Sequence, residues 1–175
     1  MPRPDAVYLP AGTLGTAAGL ALGFALAGLS TRIIATRITS RLVANTRWLA
    51  QLVQMAAQEL TTAGIPAAAQ VAAAAERAPA LVELRHDQLG RGYGFPTPAG
   101  EAAAELFAAA GLRVDPTYTA KAAAQLVAAA RERPGQVLLF WHTLGDLDAI
   151  PVQPADPERL PAPFRRWLER GLTTR

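Results

Sequence analysis

The sequence predicts an α/β fold built on a mostly parallel sheet flanked by helices. Three observations carry that reading. Residues 5–38, "DAVYLPAGTLGTAAGLALGFALAGLSTRIIATRI", run strand, glycine–threonine turn, helix and strand, in about the 30 residues of a βαβ unit. Long alanine-rich stretches with helical periodicity follow. A second apolar run, "QVLLFWH" at 136–142, returns the chain to a strand. Strands that alternate with helices stack as layers, with the sheet buried between them.

Taken in order, "DAVYLPAG" reads as a short buried strand ending at Pro10, and "GTLGT" as a tight turn. Ala17 to Gly28 is a helix of small residues that lets backbones approach. Thr31 to Ile38 is a β-branched strand, expected to lie parallel to the first through a right-handed crossover. Asn45 is placed to cap a helix running to about Ala63, with Leu49, Leu52, Val53, Ala56, Ala57 and Leu60 at helical spacing. Gly64 ends it. Pro66 suits the first turn of another helix through Ala75. "ALVELR" reads as a weak strand. Gly90 to Glu101 is a loop by composition, and Pro98 or Ala99 opens a helix through Ala110. Asp115-Pro116 makes a turn before a helix that starts at Tyr118 or Thr119 and runs to about Arg133, where Pro134-Gly135 stops it. The run 136–142 then reads as a fully buried strand. A proline-rich tail ends in a short amphipathic helix near Gly171. No repeat or internal boundary is visible, so residues 1–175 read as one domain with 146–175 as a divergent tail.

Composition narrows the classes. With 51% apolar and 18% charged residues the chain is globular. Cysteine is absent, which excludes disulfides, thiolate metal sites and a cysteine nucleophile, and fits a reducing cytoplasm. The net charge of +3 comes from sixteen arginines and one lysine, scattered without a basic stripe, which argues against nucleic-acid binding. Leu14 to Leu29 is uncharged, yet it is shorter than the roughly 20 residues a bilayer span needs, and it holds four glycines. A helix of an α/β domain explains it better than a membrane anchor. Two histidines without clustered carboxylates give no metal site, and no serine sits on a nucleophile elbow.

Four segments fall where the ligands of parallel sheets bind, beyond strand carboxyl ends or at helix starts. "GTLGT", Gly12 to Thr16, is placed like an anion cradle, with glycines for close backbone approach, a helix N-terminus and two hydroxyls. Read alone it is equally a tight turn into a packed helix. "GYGFPT" contributes Tyr93, "DPTYT" contributes Tyr118 and Thr119, and "WHT" contributes Thr143. Tyr93 packed on Pro96 and Asp115-Pro116 as a plain turn are the structural alternatives.

Together, in this order and spacing over residues 4–145, these segments resemble the carboxyl-terminal half of the D-cysteine desulfhydrase and 1-aminocyclopropane-1-carboxylate deaminase family. The resemblance implies a partial large domain of the tryptophan-synthase-β-like fold, fold type II of the pyridoxal-phosphate enzymes, with pyridoxal 5'-phosphate as cofactor. It implies that Gly12, Thr13, Leu14, Gly15 and Thr16 hold the cofactor phosphate, and that Tyr93 and Tyr118 face the substrate and assist proton movement. It places Thr119 and Thr143 beside the cofactor, at the positions where the two branches differ. The deaminases carry Glu and Leu there, and the desulfhydrases a small hydroxyl residue and Thr, so this chain resembles the desulfhydrases. The implied chemistry is α,β-elimination from a D-amino acid to pyruvate, ammonia and sulfide.

The resemblance also implies an absence. The family's cofactor-tethering lysine lies in its amino-terminal half, whereas the single lysine here, Lys121, matches a helix-start residue and is expected to be solvated or hydrogen-bonded. Leu14, Ala120 and Leu144 stand where the family has glycine, which weighs against cofactor grip. The chain is therefore expected to be a fragment inactive by itself. Its expected partners are an amino acid substrate once complemented, a separately encoded amino-terminal half as in a split enzyme, or a second copy of itself. The alternatives are a non-catalytic phosphate-anion or protein-binding module, and behind these a small membrane-anchored protein.

Overall fold

A computed structural model describes residues 2–65, 67–143 and 157–169. The chain divides into two compact units, Met1–Leu144 and Gly145–Arg175. The first holds β1 (Ala6–Ala11), α1 (Gly15–Leu26), β2 (Arg32–Arg37), α2 (Thr46–Thr62), α3 (Ala68–Arg77), β3 (Val82–Arg85), α4 (Pro98–Ala109), α5 (Thr119–Glu132) and β4 (Leu138–Phe140). In the second, a short 3-10 turn at Pro157–Arg159 precedes α6 (Ala162–Glu169). Pro66, the segment 144–156 and the expected helix end near Gly171 lie outside the described residues.

The four strands form one sheet in the order β3-β2-β1-β4, and every neighbouring pair is parallel. Tyr8 stands opposite Ile34 on one side and Phe140 on the other. The period-two alternation of a strand decides what each face buries. Leu9, Ala11, Ile33 and Ala35 face a core closed by α1, α2 and α3. Ala6, Tyr8 and Ile34 face the other way, against Leu126 and Ala129 of α5. Helix α4 then packs on α5 through Ala103, Phe107, Ala123 and Ala124. The alanines that dominate α1 and α5 let these layers approach closely.

The element ends follow local chemistry. The Asn45 side chain accepts from Trp48 N at 2.8 Å and so starts α2. The Thr97 hydroxyl does the same for α4, accepting from Gly100 N at 3.1 Å, with Pro98 in the first turn. Arg77 Nη2 donates to Ala25 O at 3.2 Å, at the carboxyl end of α1.

One expectation changes and one holds. The run 136–142 pairs over only three residues, and these are half-buried. Among the described residues β4 is the margin of the sheet, with β1 as its one neighbour, so a hydropathy typical of a central strand sits at an edge. The uncharged stretch 14–29 forms the 12-residue α1, about 18 Å long, and its buried Ala17, Ala18, Ala21, Leu22 and Ala25 belong to the core. No helix among the described residues is long and apolar enough to cross a membrane.

Candidate cofactor site

The turn Gly12–Thr16 joins β1 to α1 at the carboxyl end of the sheet. Leu14 occupies the left-handed region, at φ 71° and ψ 2°, and is the one described non-glycine residue with positive φ. For an L-residue that conformation costs about 1–2 kcal/mol. The structure shows what offsets it. The Leu14 side chain is 2% exposed and joins the core with Ala17 and Ala18. This side chain thus points into the protein and leaves the outer surface of the turn clear. Thr13, Gly15 and Thr16 stay exposed. Helix α1 has no side-chain cap and no acidic residue in its first turn. Its first N–H groups have no intrahelical acceptors, and the positive end of its dipole meets solvent. Of the five residues, Leu14 can serve a ligand through its backbone N–H only.

Tyr118 reaches this turn. A Cβ placed on Gly12 would lie 3.5 Å from Tyr118 Cε2, 3.6 Å from its hydroxyl and 3.7 Å from Ile38 Cδ1. The phenol therefore rests over the bare backbone of Gly12. Thr39 Oγ1 donates to Gly12 O at 3.1 Å and ties the turn to the segment after β2.

Around Tyr118 opens a cavity of about 600 Å³ lined by Tyr93, Gly94, Asp115, Thr117, Tyr118, Thr119 and Thr143. The four side chains singled out from separate stretches of sequence, Tyr93, Tyr118, Thr119 and Thr143, thus share one cavity, and Tyr118 links it to the Gly12–Thr16 turn. Tyr93 is 63% exposed, so it is not packed away on Pro96. His142 is turned aside, with Nε2 2.8 Å from Arg113 O.

Asp115 organises the cavity wall, a part that sequence reading reduces to a turn. Its Oδ1 accepts from Thr117 N at 3.1 Å and Tyr118 N at 2.6 Å. Its Oδ2 accepts from Thr119 N at 2.9 Å and from the Thr119 hydroxyl. Burial raises the pKa of this carboxyl, but the hydrogen bonds from Thr119, Tyr118 and Thr117 outweigh it and leave the pKa below the usual carboxylate value. Thr119 is 1% exposed. Its hydroxyl accepts from Asp115 N at 2.7 Å and gives its proton to the carboxylate. A ligand in the cavity would meet Thr119 as a lone pair, not as a donor. The sequence signal was present in "DPTYT": an Asp three residues before the tyrosine of a helix start is a capping residue.

Lys121 is not solvated. It is fully buried, the bulkiest such side chain among the described residues, and its Nζ donates to Leu89 O at 2.9 Å and Gly92 O at 3.0 Å. Burial lowers its pKa, but both contacts are carbonyls of the loop behind the cavity, and Lys121 does not line it. Among the described residues, no group of three or more acidic, histidine or cysteine side chains could hold a metal ion.

Comparison with known proteins gives three findings. The family described as "Pyridoxal-phosphate dependent enzyme" matches residues 1–143. The chain is 34% identical over 167 residues to the nocardicin C-9' epimerase of Nocardia uniformis subsp. tsuyamanensis, over 91% of this chain and 46% of that protein. A crystal structure described as an ACC deaminase homologue is similar with a TM-score of 0.58 and 26% identity, over 78% of this chain and 38% of that one. The chain thus spans about half the length of the curated relative it matches, and less of the structural one.

Proposed function

Because the chain belongs to the pyridoxal-phosphate-dependent enzyme family, with the parallel sheet and flanking helices of fold type II, we propose that it supplies the phosphate cradle and the proton-handling tyrosines of a D-cysteine desulfhydrase-like catalyst, and that the tethering amine is not Lys121. The observation that carries this reading is the convergence of Tyr93, Tyr118 and Thr143 on one opening, with Tyr118 resting against Gly12 of the turn, set beside the burial of the chain's single lysine.

The residues fit the phosphate end of the cofactor. Exposed Thr13, Gly15 and Thr16 at the uncapped start of α1 present hydroxyls and N–H groups to an anion. When bound, pyridoxal phosphate supplies the electron sink that makes the carbon beside a substrate amino group acidic. The chain's own residues do the rest. Tyr118, held over Gly12, keeps a phenol beside the cradle, and Tyr93 brings a second phenol from the opposite loop; either can hold or return a proton. Asp115 fixes the helix start that aims Tyr118. Thr143, exposed at the rim, supplies a small hydroxyl that leaves room for a substrate side chain. In the elimination reading the substrate loses a proton from the α carbon and a thiolate from the β carbon, the thiolate leaving as sulfide, and water hydrolyses the remaining enamine to pyruvate and ammonia.

A second reading rests on the relative named for an epimerase. Two phenols approaching from different loops suit removal of an α proton and its return to the other face. The two readings share every residue named above and differ in whether a β leaving group departs. A third, non-catalytic reading keeps only the anion cradle, or a protein-binding surface.

Purified chain mixed with pyridoxal phosphate and treated with borohydride should carry no cofactor mass on Lys121 and should release no sulfide from D-cysteine. Adding a lysine-bearing amino-terminal half from a family member should restore sulfide release. Racemisation without sulfide selects the epimerase reading, and phosphate binding without either reaction selects the cradle alone. A borohydride-fixed cofactor on Lys121 would overturn the proposal.

A further inference from the structure

The loop that carries Tyr93 is held from behind by a single charge. Residues 86–97 fold as consecutive turns, with Leu89 N donating to His86 O, Gly92 N to Leu89 O and Phe95 N to Gly92 O, all at 3.3–3.4 Å. These bonds are long, and glycines 90, 92 and 94 all adopt positive φ. Backbone of this kind has many alternatives and little internal stability. Against it stands the Lys121 ammonium, whose donors are strong because they are charged. It reaches the carbonyls of Leu89 and Gly92, which flank Gly90 and the exposed Arg91, and Gly92 immediately precedes Tyr93. Ala120 and Ala122, on either side of Lys121 in α5, are both fully buried, so the lysine stem cannot swing out without breaking the packing of α4 on α5.

We infer that Lys121 is the positioning residue of the Tyr93 loop: its buried ammonium clasps the carbonyls of Leu89 and Gly92 and sets where Tyr93 stands at the cavity. It touches no cavity ligand and acts through the loop. The consequence for chemistry rests on the function proposed above, but the clasp itself does not, and it is tested on the purified full chain with no cofactor present.

The chain has one lysine, so an amine-acylating ester reports on it cleanly. In the native protein Lys121 should react at least about a hundredfold more slowly than the α-amino group, through loop opening alone. Equal rates would overturn the inference. Lys121→Met removes two charge-assisted hydrogen bonds and should speed tryptic cleavage after Arg91 by at least about tenfold, the factor that one such bond alone is worth, while amide exchange in Val7–Leu9 stays as in the parent. Unchanged cleavage at Arg91 counts against the clasp, as does equal acceleration of β1 exchange, which would mark general loosening. Because the chain lacks cysteine, Lys121→Cys can be aminoethylated while unfolded to rebuild a lysine-like amine. The modified chain should regain slow cleavage, and failure to do so beside an accelerated Lys121→Met overturns the inference. If Lys121→Met does not fold, the acylation rate of the parent chain decides.

Discussion

Replacing Asp115 by Asn changes one atom and tests how the start of α5 is held. The carboxylate accepts four hydrogen bonds, two on each oxygen. Asn keeps an acceptor for Thr117 N and Tyr118 N, but turns an amide NH2 toward Thr119 N, where a donor now faces a donor, and toward the Thr119 hydroxyl, which loses its acceptor there. Removing a capping acceptor costs about 1 kcal/mol, and leaving a half-buried donor unsatisfied adds about 1 kcal/mol or more. A loss of about 2 kcal/mol is therefore expected at neutral pH, or about 4–8 °C in Tm for a unit of this size. The pH dependence has a definite sign. The folded-state pKa of Asp115 is depressed, so its contribution is complete above the ordinary carboxylate value and is lost as pH falls through the lower folded value. Urea unfolding of parent and variant should show the gap at pH 7 and a progressively smaller gap below about pH 4. A variant as stable as the parent at pH 7, or a gap that does not narrow in acid, would refute the four-bond description of this helix start.

Other perturbations are expected to behave as follows. Leu14→Gly relieves about 1–2 kcal/mol of left-handed strain but empties a buried leucine site worth about 2–5 kcal/mol. The variant should unfold at lower urea, yet bind inorganic phosphate as the parent does by equilibrium titration. Gly90→Ala puts a Cβ 2.7 Å from Thr97 Cγ2 at φ +61°. Strain of about 1–3 kcal/mol should appear as lower stability and faster amide exchange in residues 86–97. Gly12→Ala meets only ordinary contacts with Tyr118 and Ile38 and should change stability by less than about 1 kcal/mol, whereas Gly12→Val should displace the Tyr118 ring, read out as altered tyrosine fluorescence. Glu83→Gln removes ion pairs to Arg32 and Arg85 that are 39–47% exposed. The cost should stay below about 1 kcal/mol, and the difference should vanish in about 1 M salt.

The layered order of the fold was readable because its signals are local. The βαβ start is written in a β-branched run and a glycine–threonine turn, and Asn45 announces α2 by capping chemistry that needs no tertiary contact. That the four site segments would come to one side was readable because parallel strands send their carboxyl ends there. What could not be read depends on distant neighbours. "LLF" has the hydropathy of a central strand, and only the strand order places it at a margin. Lys121 looks like any lysine opening an alanine-rich helix, and its burial is decided by two carbonyls 29 and 32 residues earlier. Leu14 counted against the cradle so long as its direction was unknown; backbone twist, not residue type, sends it inward.

The two borders of the sheet are unlike. Glu83 and Arg85 of β3, with Arg32 on the neighbouring β2 and Asp87 just past the strand, form a chain of alternating charges, the kind of decoration that discourages an added strand. Along β4 stand Leu138, Leu139 and Phe140, with no charge in the run. Among the described residues, a polypeptide that lengthened this sheet by backbone pairing would meet charges at one border and an uncharged run at the other, which favours an added strand beside β4.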